Sequence, residues 1–158
     1  MVNKTKKIVF SALFAALACV ATMIIKIPSP LSGYINLGDS VVLLCGWMLG
    51  PGYGFFAAAI GSALADMFYG YMVYVPATFL IKGAVALIAC VLSKKTKKFI
   101  SAIAAEAAMV AGYYVFEGFL YGFGASLVNV VPNIIQAAAG IVVGLLLMKI
   151  FKKSNIKF

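Results

Sequence analysis

The residues best suited to chemistry lie between Ser62 and Lys82, where an acid and a base occupy neighbouring apolar segments. Asp66 lies near the end of the first segment and Lys82 near the start of the second, with a turn of glycine, tyrosine and proline between them. If both segments are membrane helices, a rise of about 1.5 Å per residue puts the carboxylate and the ammonium at similar depths. Because charges inside membranes are costly and usually paired, the two residues form either a structural ion pair or a binding site for a polar ligand.

The composition indicates an integral membrane protein. The chain of 158 residues is 65% hydrophobic and only 11% charged. A spanning helix needs about 20 apolar residues, and six segments fit or nearly fit this length. We therefore expect an all-α protein with one membrane domain, residues 1–158, that is a compact bundle of six transmembrane helices. The predicted spans are residues 8–25, 37–49, 53–69, 76–92, 99–120 and 130–150.

The lysines predict the orientation of the spans. The chain has 13 basic residues, all of them lysines, and most lie in clusters at the N-terminus, between spans four and five, and at the C-terminus. Cytoplasmic segments are enriched in lysine, so we expect a multi-pass protein of the cell membrane with both termini in the cytoplasm. The formal net charge of +9 is then a topology signal, and nucleic acid is not an expected partner.

In this orientation, polar side chains of several spans lie at one depth in the outer half of the bundle. They are Asp39, Asp66, Glu117, Asn129, Asn133 and Gln136. Asp39, like Asp66, is a candidate for either a structural ion pair or a ligand contact. Helical spacing puts Gly140 and Gly144 below the amides of span six. The pattern predicts an outward-facing polar pocket above a closely packed surface of small residues.

Aromatic residues and a long loop lie in the same outer region. Most of the tyrosines are typical of a membrane-interface belt, and the remainder suit stacking against a flat nitrogen-containing ring. The loop of residues 26–38 has two prolines and two glycines and is either a lid over the pocket or a plain connector. If it is a lid, Tyr34 and Asn36 are best placed to reach the pocket.

The sequence does not favour an enzyme. It has no histidine and three isolated cysteines, so neither a metal site nor a nucleophile–base pair is expected. The glycine-rich segment at residues 50–54 lacks the lysine and hydroxyl residue of a phosphate-binding loop. We expect no cofactor in this chain. An alternative function is a stand-alone secondary transporter with a proton relay of Asp66, Lys82 and Glu106.

The chain resembles the substrate-binding S components of energy-coupling factor (ECF) vitamin transporters, in the branch with riboflavin-type and pyrimidine or vitamin B6-type components. The resemblance covers nearly the whole chain. It is carried by Ala12-Leu-Phe-Ala-Ala16, YINLGDSVVLL at residues 34–44, and GSALADMFYGYMVYVPATFLIKG at residues 61–83. It implies a high-affinity binder that captures a vitamin or related heterocycle from outside, with a riboflavin-, pyrimidine-, pyridoxine- or nucleoside-like ring. The implied partners are a transmembrane coupling protein and two cytoplasmic ATPases, which use the ATP.

The resemblance also implies roles for individual residues. The small-residue docking face of the first span corresponds to Ala12 and Ala16. The substrate contacts correspond to Asn36, Tyr74, Thr78, Lys82, Tyr113, Glu117, Asn129 and Asn133. The acids and amides in this set argue against a strongly anionic ligand, while Lys82 leaves open one hydroxyl-rich or weakly acidic group.

Overall fold

The computed structural model describes residues 4–31 and 33–153, and this part of the chain contains six α-helices. They are α1 (Lys4–Ile24), α2 (Gly38–Leu49), α3 (Pro51–Phe68), α4 (Val75–Ser93), α5 (Lys98–Tyr121) and α6 (Phe123–Lys153). Two short strands, β1 (Ile27–Pro28) and β2 (Tyr34–Ile35), form an antiparallel hairpin between α1 and α2. The predicted bundle of six helices is confirmed, while the two-stranded hairpin was not predicted and makes the chain mostly helical and not entirely so.

Four of the helices, α1, α4, α5 and α6, are long and apolar enough to cross a membrane. They expose large apolar side chains along their length, such as Leu13, Leu80 and Leu146, as expected for helices that face lipid. α2 has 12 residues and α3 has 18. That α2 and α3 also cross the bilayer, as the six-span prediction requires, stays a prediction.

The short helix α2 lies in the middle of the bundle. It packs against α1, α3, α4 and α6, and every residue from Gly38 to Gly46 is buried. The helix is therefore surrounded by protein over most of its length. Its first turn carries Asp39, where the partial positive charge of a helix N-terminus favours a carboxylate.

Glycines allow the close helix contacts around α2 and α1. A Cβ atom on Gly140 would lie 2.8 Å from the Cβ of Asp39, and one on Gly144 would lie 3.2 Å from the carbonyl oxygen of Ser40. A Cβ on Gly61 would clash with the carbonyl oxygen of Ala15. The small-residue stripe of span six is thus the surface through which α6 packs on α2.

The connection between α5 and α6 differs from the prediction. Residues 121–129 were expected to form a loop, but α5 continues to Tyr121 and α6 begins at Phe123. Gly122 has a φ of 91°, a conformation that glycine adopts without steric cost, so one residue suffices to separate the two helices. Because the segment after Gly122 is largely apolar, it joins α6 as its first two turns.

The lysine clusters share one end of the bundle. Lys7 Nζ lies 6.0 Å from the ring centroid of Tyr53, at the start of α3. Lys98 Nζ, at the start of α5, lies 5.2 Å from the ring of Trp47, near the end of α2. The β1–β2 hairpin joins the opposite ends of α1 and α2, so the molecule has a lysine-rich end and a hairpin end.

Candidate functional site

A cavity lies at the hairpin end of the bundle. Its empty volume is about 470 Å³, including the space at its open mouth. Its walls come from α1, from helices α3 to α6 and from the turn between α3 and α4. The connection between α1 and α2, which includes the β1–β2 hairpin and which we call the hairpin loop, also contributes. Its lining consists of Thr22, Ser29, Gly33, Tyr34, Asn36, Ser62, Asp66, Tyr71, Tyr74, Thr78, Lys82, Tyr113, Glu117, Asn133 and Gln136.

Most of the residues predicted to contact a substrate meet in this cavity. Those that line it are Tyr34, Asn36, Tyr74, Thr78, Lys82, Tyr113, Glu117 and Asn133, together with Asp66. Two predicted residues, Asp39 and Asn129, are buried outside the lining. The structure brings the predicted set together, and contact of its members with a ligand stays a prediction.

Lys82 pairs with Asp39, and the prediction that it pairs with Asp66 is wrong. The distance between Lys82 Nζ and Asp39 Oδ1 is 2.5 Å, and both side chains are almost completely buried. The prediction matched two residues of adjacent segments by depth. It failed because α2 packs against α4, which brings a third residue of similar depth closer to the ammonium.

The ion pair belongs to a hydrogen-bonded cluster of Asp39, Lys82 and Gln136, which we call the polar floor. Gln136 Nε2 donates to the second carboxylate oxygen of Asp39 at 2.6 Å. Gln136 Oε1 accepts from the backbone N–H of Asn36 at 2.9 Å and from its side-chain amide at 3.2 Å. Both charges of the ion pair are therefore compensated. The hydrogen bonds of Asn36 to Gln136 attach the hairpin loop to the polar floor.

Asp66 lies on α3 at the side of the cavity. Its Oδ1 accepts a hydrogen bond of 2.5 Å from the hydroxyl of Tyr34. Burial and the neighbouring Asp66 carboxylate raise the pKa of Tyr34 far above its usual value, so this hydroxyl stays protonated and donates. Ser62 lies one helical turn before Asp66, and within the described part of the chain its buried Oγ has no hydrogen-bond partner.

Glu117 lies on α5 and is 2% exposed. Its Oε1 accepts from Asn129 Nδ2 at 2.9 Å, and the Tyr74 hydroxyl lies 3.3 Å away. Its Oε2 is buried and has no partner among residues 4–31 and 33–153. Asn129 was expected to contact the substrate. It lies outside the lining and donates a hydrogen bond to the Oε1 atom of Glu117.

Tyrosines connect the hairpin to the α3–α4 turn. The rings of Tyr34 and Tyr71 lie 5.2 Å apart between centroids, and the Tyr74 hydroxyl lies 2.9 Å from the carbonyl oxygen of Leu31. Lys26 Nζ lies 4.1 Å from the ring of Tyr69 and 4.8 Å from that of Tyr71. The hairpin loop therefore lies against the cavity as a lid would, and aromatic rings form part of the wall.

The proposed relay of Asp66, Lys82 and Glu106 is not present as a hydrogen-bonded chain. Glu106 is 1% exposed and does not line the cavity. Neither of its carboxylate oxygens has a hydrogen-bond partner in the described ranges, and Lys82 bonds to Asp39. Within residues 4–31 and 33–153, no group of three or more histidines, cysteines or acids could hold a metal ion.

The sequence analysis missed part of the lining. Gln136 was predicted to lie in the polar pocket but was not assigned a substrate contact. Ser62 carried a signal, since it shares a helical face with Asp66. Thr22, Ser29 and Gly33 carried none, because they enter the site only through the position of α1 and the hairpin. Tyr71 could not be distinguished from an interfacial tyrosine.

Ala12 and Ala16 are exposed on α1, while Ala18 is buried and Ala15 contacts Gly61 of α3. α1 thus turns one small-residue face to the bundle and leaves another uncovered within the chain. The role of Ala12 and Ala16 in partner docking stays a prediction.

Comparison with known sequences places the chain among transport proteins. Residues 2–153 match the family described as ECF-type riboflavin transporter, S component. An uncharacterised protein of Pyrococcus woesei is 37% identical over 139 residues, which are 85% of this chain and 93% of the relative. The thiamine precursor transporter HmpT of Lactococcus lactis subsp. cremoris is 24% identical over 159 residues, with 99% of this chain and 94% of the relative covered.

Two solved structures have the same fold. The S component of a bacterial ECF transporter superposes with a TM-score of 0.74 at 23% identity, over 96% of this chain and 98% of the other. The S component for biotin from an ECF-type ABC transporter superposes with a TM-score of 0.65 at 17% identity, over 96% and 95% of the two chains.

Proposed function

Because the chain belongs to the ECF-type riboflavin transporter S component family, and is therefore a substrate-binding component of a transporter, we propose that it captures a vitamin-like nitrogen heterocycle from outside the cell. The observation that carries this proposal is the cavity at the hairpin end. It combines tyrosine rings with carboxylate, amide and hydroxyl groups from five of the six helices and the hairpin loop. Aromatic walls with a few convergent polar groups suit a flat ring that is hydrogen-bonded at its edge.

The position of the lysines supports entry from outside. The lysine clusters lie at the end of the bundle opposite the hairpin, and lysine-rich ends of membrane proteins face the cytoplasm. In this orientation both termini are cytoplasmic and the cavity opens to the exterior. A substrate-binding subunit for import requires this direction.

We assign the energy source to partner subunits. The proposed complex contains a transmembrane coupling protein and two cytoplasmic ATPases. The uncovered small-residue face at Ala12 and Ala16 is our candidate for the contact with the coupling protein, because small side chains allow close helix approach in membranes.

The ligand itself is the first test. The full chain is purified from membranes in mild detergent, and small molecules released on denaturation are identified by mass spectrometry. We expect one heterocyclic compound per chain, which rebinds to ligand-free protein in isothermal titration calorimetry. Asn133→Ala is expected to weaken rebinding, while the control variant Ala16→Trp, at an exposed position outside the cavity lining, retains it. If no heterocycle co-purifies and no vitamin of a broad panel binds, the proposal is wrong.

A further inference from the structure

We propose that Lys98 and Lys152 form a binding site for the phosphate of an anionic lipid headgroup at the lysine-rich end of the bundle. Lys98 begins α5, and Lys152 lies in the last turn of α6. The cavity lies at the opposite end of the molecule, so this site is independent of the proposed substrate and goes beyond the capture of a heterocycle.

The lysine-rich end has no acidic side chain that could neutralise it. The chain has only four acids, and all four are buried. Asp66 and Glu117 line the cavity, and Asp39 is bound to Lys82 next to it. Glu106 lies more than two turns inside α5. The counter-charges for the lysines at this end therefore come from outside the chain.

Lys98 differs from a lysine that only extends into solvent. It is half-buried, and the residues one and two turns further along α5, Ser101, Ala102 and Ala105, are completely buried. Lys98 therefore lies on the side of α5 that faces the bundle. Its Nζ lies 5.2 Å from the ring centroid of Trp47, and Trp47 Nε1 donates to Ser101 Oγ at 3.1 Å. The ammonium is thus held against a ring that is itself fixed by a hydrogen bond.

Lys152 brings a second positive charge to the same place. α6 packs against α5, and the ammonium groups of Lys98 and Lys152 are close enough to repel each other. Since Lys98 is half-buried, solvent screens this repulsion less than it would between two exposed lysines. Neither lysine pairs with an acid among the described residues. One anion in contact with both ammonium groups replaces the repulsion by two attractive interactions.

The surroundings of the two lysines favour a lipid as the source of this anion. Within two turns of each lysine, large apolar side chains are exposed: Phe99 and Ile103 on α5, and Leu146 and Ile150 on α6. Acyl chains can contact these side chains while the headgroup phosphate reaches the lysines. Basic pockets between membrane helices are typical binding sites for anionic headgroups, whereas a free phosphate ion would gain only the interaction with the two charges.

Native mass spectrometry of the full chain in a neutral detergent measures the binding. The probes are phosphatidylglycerol and phosphatidylcholine with the same acyl chains, and inorganic phosphate is the soluble competitor. One lysine near an anionic lipid surface strengthens binding about 5-fold. For two lysines we therefore expect phosphatidylglycerol to bind about 25-fold more tightly than phosphatidylcholine, and a large excess of inorganic phosphate should not displace it.

Variants connect the preference to the two lysines. Lys98→Gln and Lys152→Gln should each lower the preference for phosphatidylglycerol to about 5-fold. Lys95→Gln is the matched control, because it removes the same charge from an exposed position in the turn between α4 and α5, and it should retain the full preference. Thermal unfolding checks that each variant is folded. Lys152→Gln changes an exposed side chain, so it tests the site even if Lys98→Gln does not fold.

Equal binding of the two lipids overturns the inference. A loss in Lys95→Gln as large as that in Lys152→Gln also overturns it, because the general charge of this end would then attract the lipid. Displacement by inorganic phosphate would assign the site to a soluble anion and refute the choice of a lipid. None of these results affects the capture of a heterocycle, which is measured with a different ligand at the other end of the molecule.

Discussion

Replacing Asp39 by asparagine tests the assignment of the ion pair. The substitution retains the shape of the side chain and removes the charge that compensates Lys82, which is 3% exposed. An unpaired charge at a buried site costs about 3–5 kcal/mol, which is a change of roughly two to three and a half orders of magnitude in the unfolding equilibrium.

Asp66→Asn is the matched comparison, because it makes the same chemical change on the other candidate partner of Lys82. Asp66 accepts one hydrogen bond from Tyr34, and the amide oxygen of asparagine can still accept it. We expect Asp66→Asn to lower the free energy of unfolding by about 1 kcal/mol. The pairing predicted from sequence implied the opposite order, with the larger loss at Asp66.

Unfolding by SDS in mixed micelles, followed by far-UV circular dichroism, measures both losses. A double variant, Asp39→Asn with Lys82→Met, removes both charges and is expected to be more stable than Asp39→Asn alone. If Asp66→Asn is as destabilising as Asp39→Asn, or if the double variant is the least stable of the three, the assignment of the polar floor is wrong.

Three further predictions concern packing, the hairpin and the docking face. Gly140→Ala should lower the free energy of unfolding by about 1–3 kcal/mol in the same assay, because the added Cβ lies 2.8 Å from Asp39 Cβ. Gly124→Ala, which has open space around it, should not be destabilised, and equal losses in the two variants would contradict the close contact of α6 with α2. Tyr34→Phe removes the hydrogen bond to Asp66, so limited proteolysis should cleave the hairpin faster than in the native protein, and an unchanged rate would show that this bond does not hold the lid. Ala16→Trp should leave ligand affinity unchanged and abolish co-purification with the coupling protein, and retained assembly would refute the docking face.

The sequence predicted the depth of the polar groups better than their partners. Apolar segment length and helical rise are properties of a single segment, so the six helices and the shared depth of Asp66, Lys82 and Glu117 followed directly. Which residue reaches Lys82 depends on the arrangement of the helices around α2. The central position of this helix, and with it the Asp39 pair, could not be obtained from periodicity.

The role of the amides in α6 shows the same limit. Their spacing placed Asn129, Asn133 and Gln136 on one face, and this face does meet the cavity region. The three amides nevertheless have different surroundings: Asn133 lines the cavity, Gln136 bonds to Asp39 in the polar floor, and Asn129 bonds to Glu117 outside the lining. These differences depend on the hairpin loop. Its backbone groups at Leu31 and Asn36 bond to Asn129 and Gln136, and no local pattern predicts such long-range contacts.

Uptake into liposomes tests most directly the claim that this chain binds a substrate but needs partners to transport it. The purified chain is reconstituted alone, and in parallel with a coupling protein and two ATPases, and accumulation of the radiolabelled co-purifying ligand is followed with and without ATP. We expect stoichiometric binding without accumulation for the chain alone, and accumulation only with the partners and ATP. Gradient-driven accumulation by the chain alone would contradict this account.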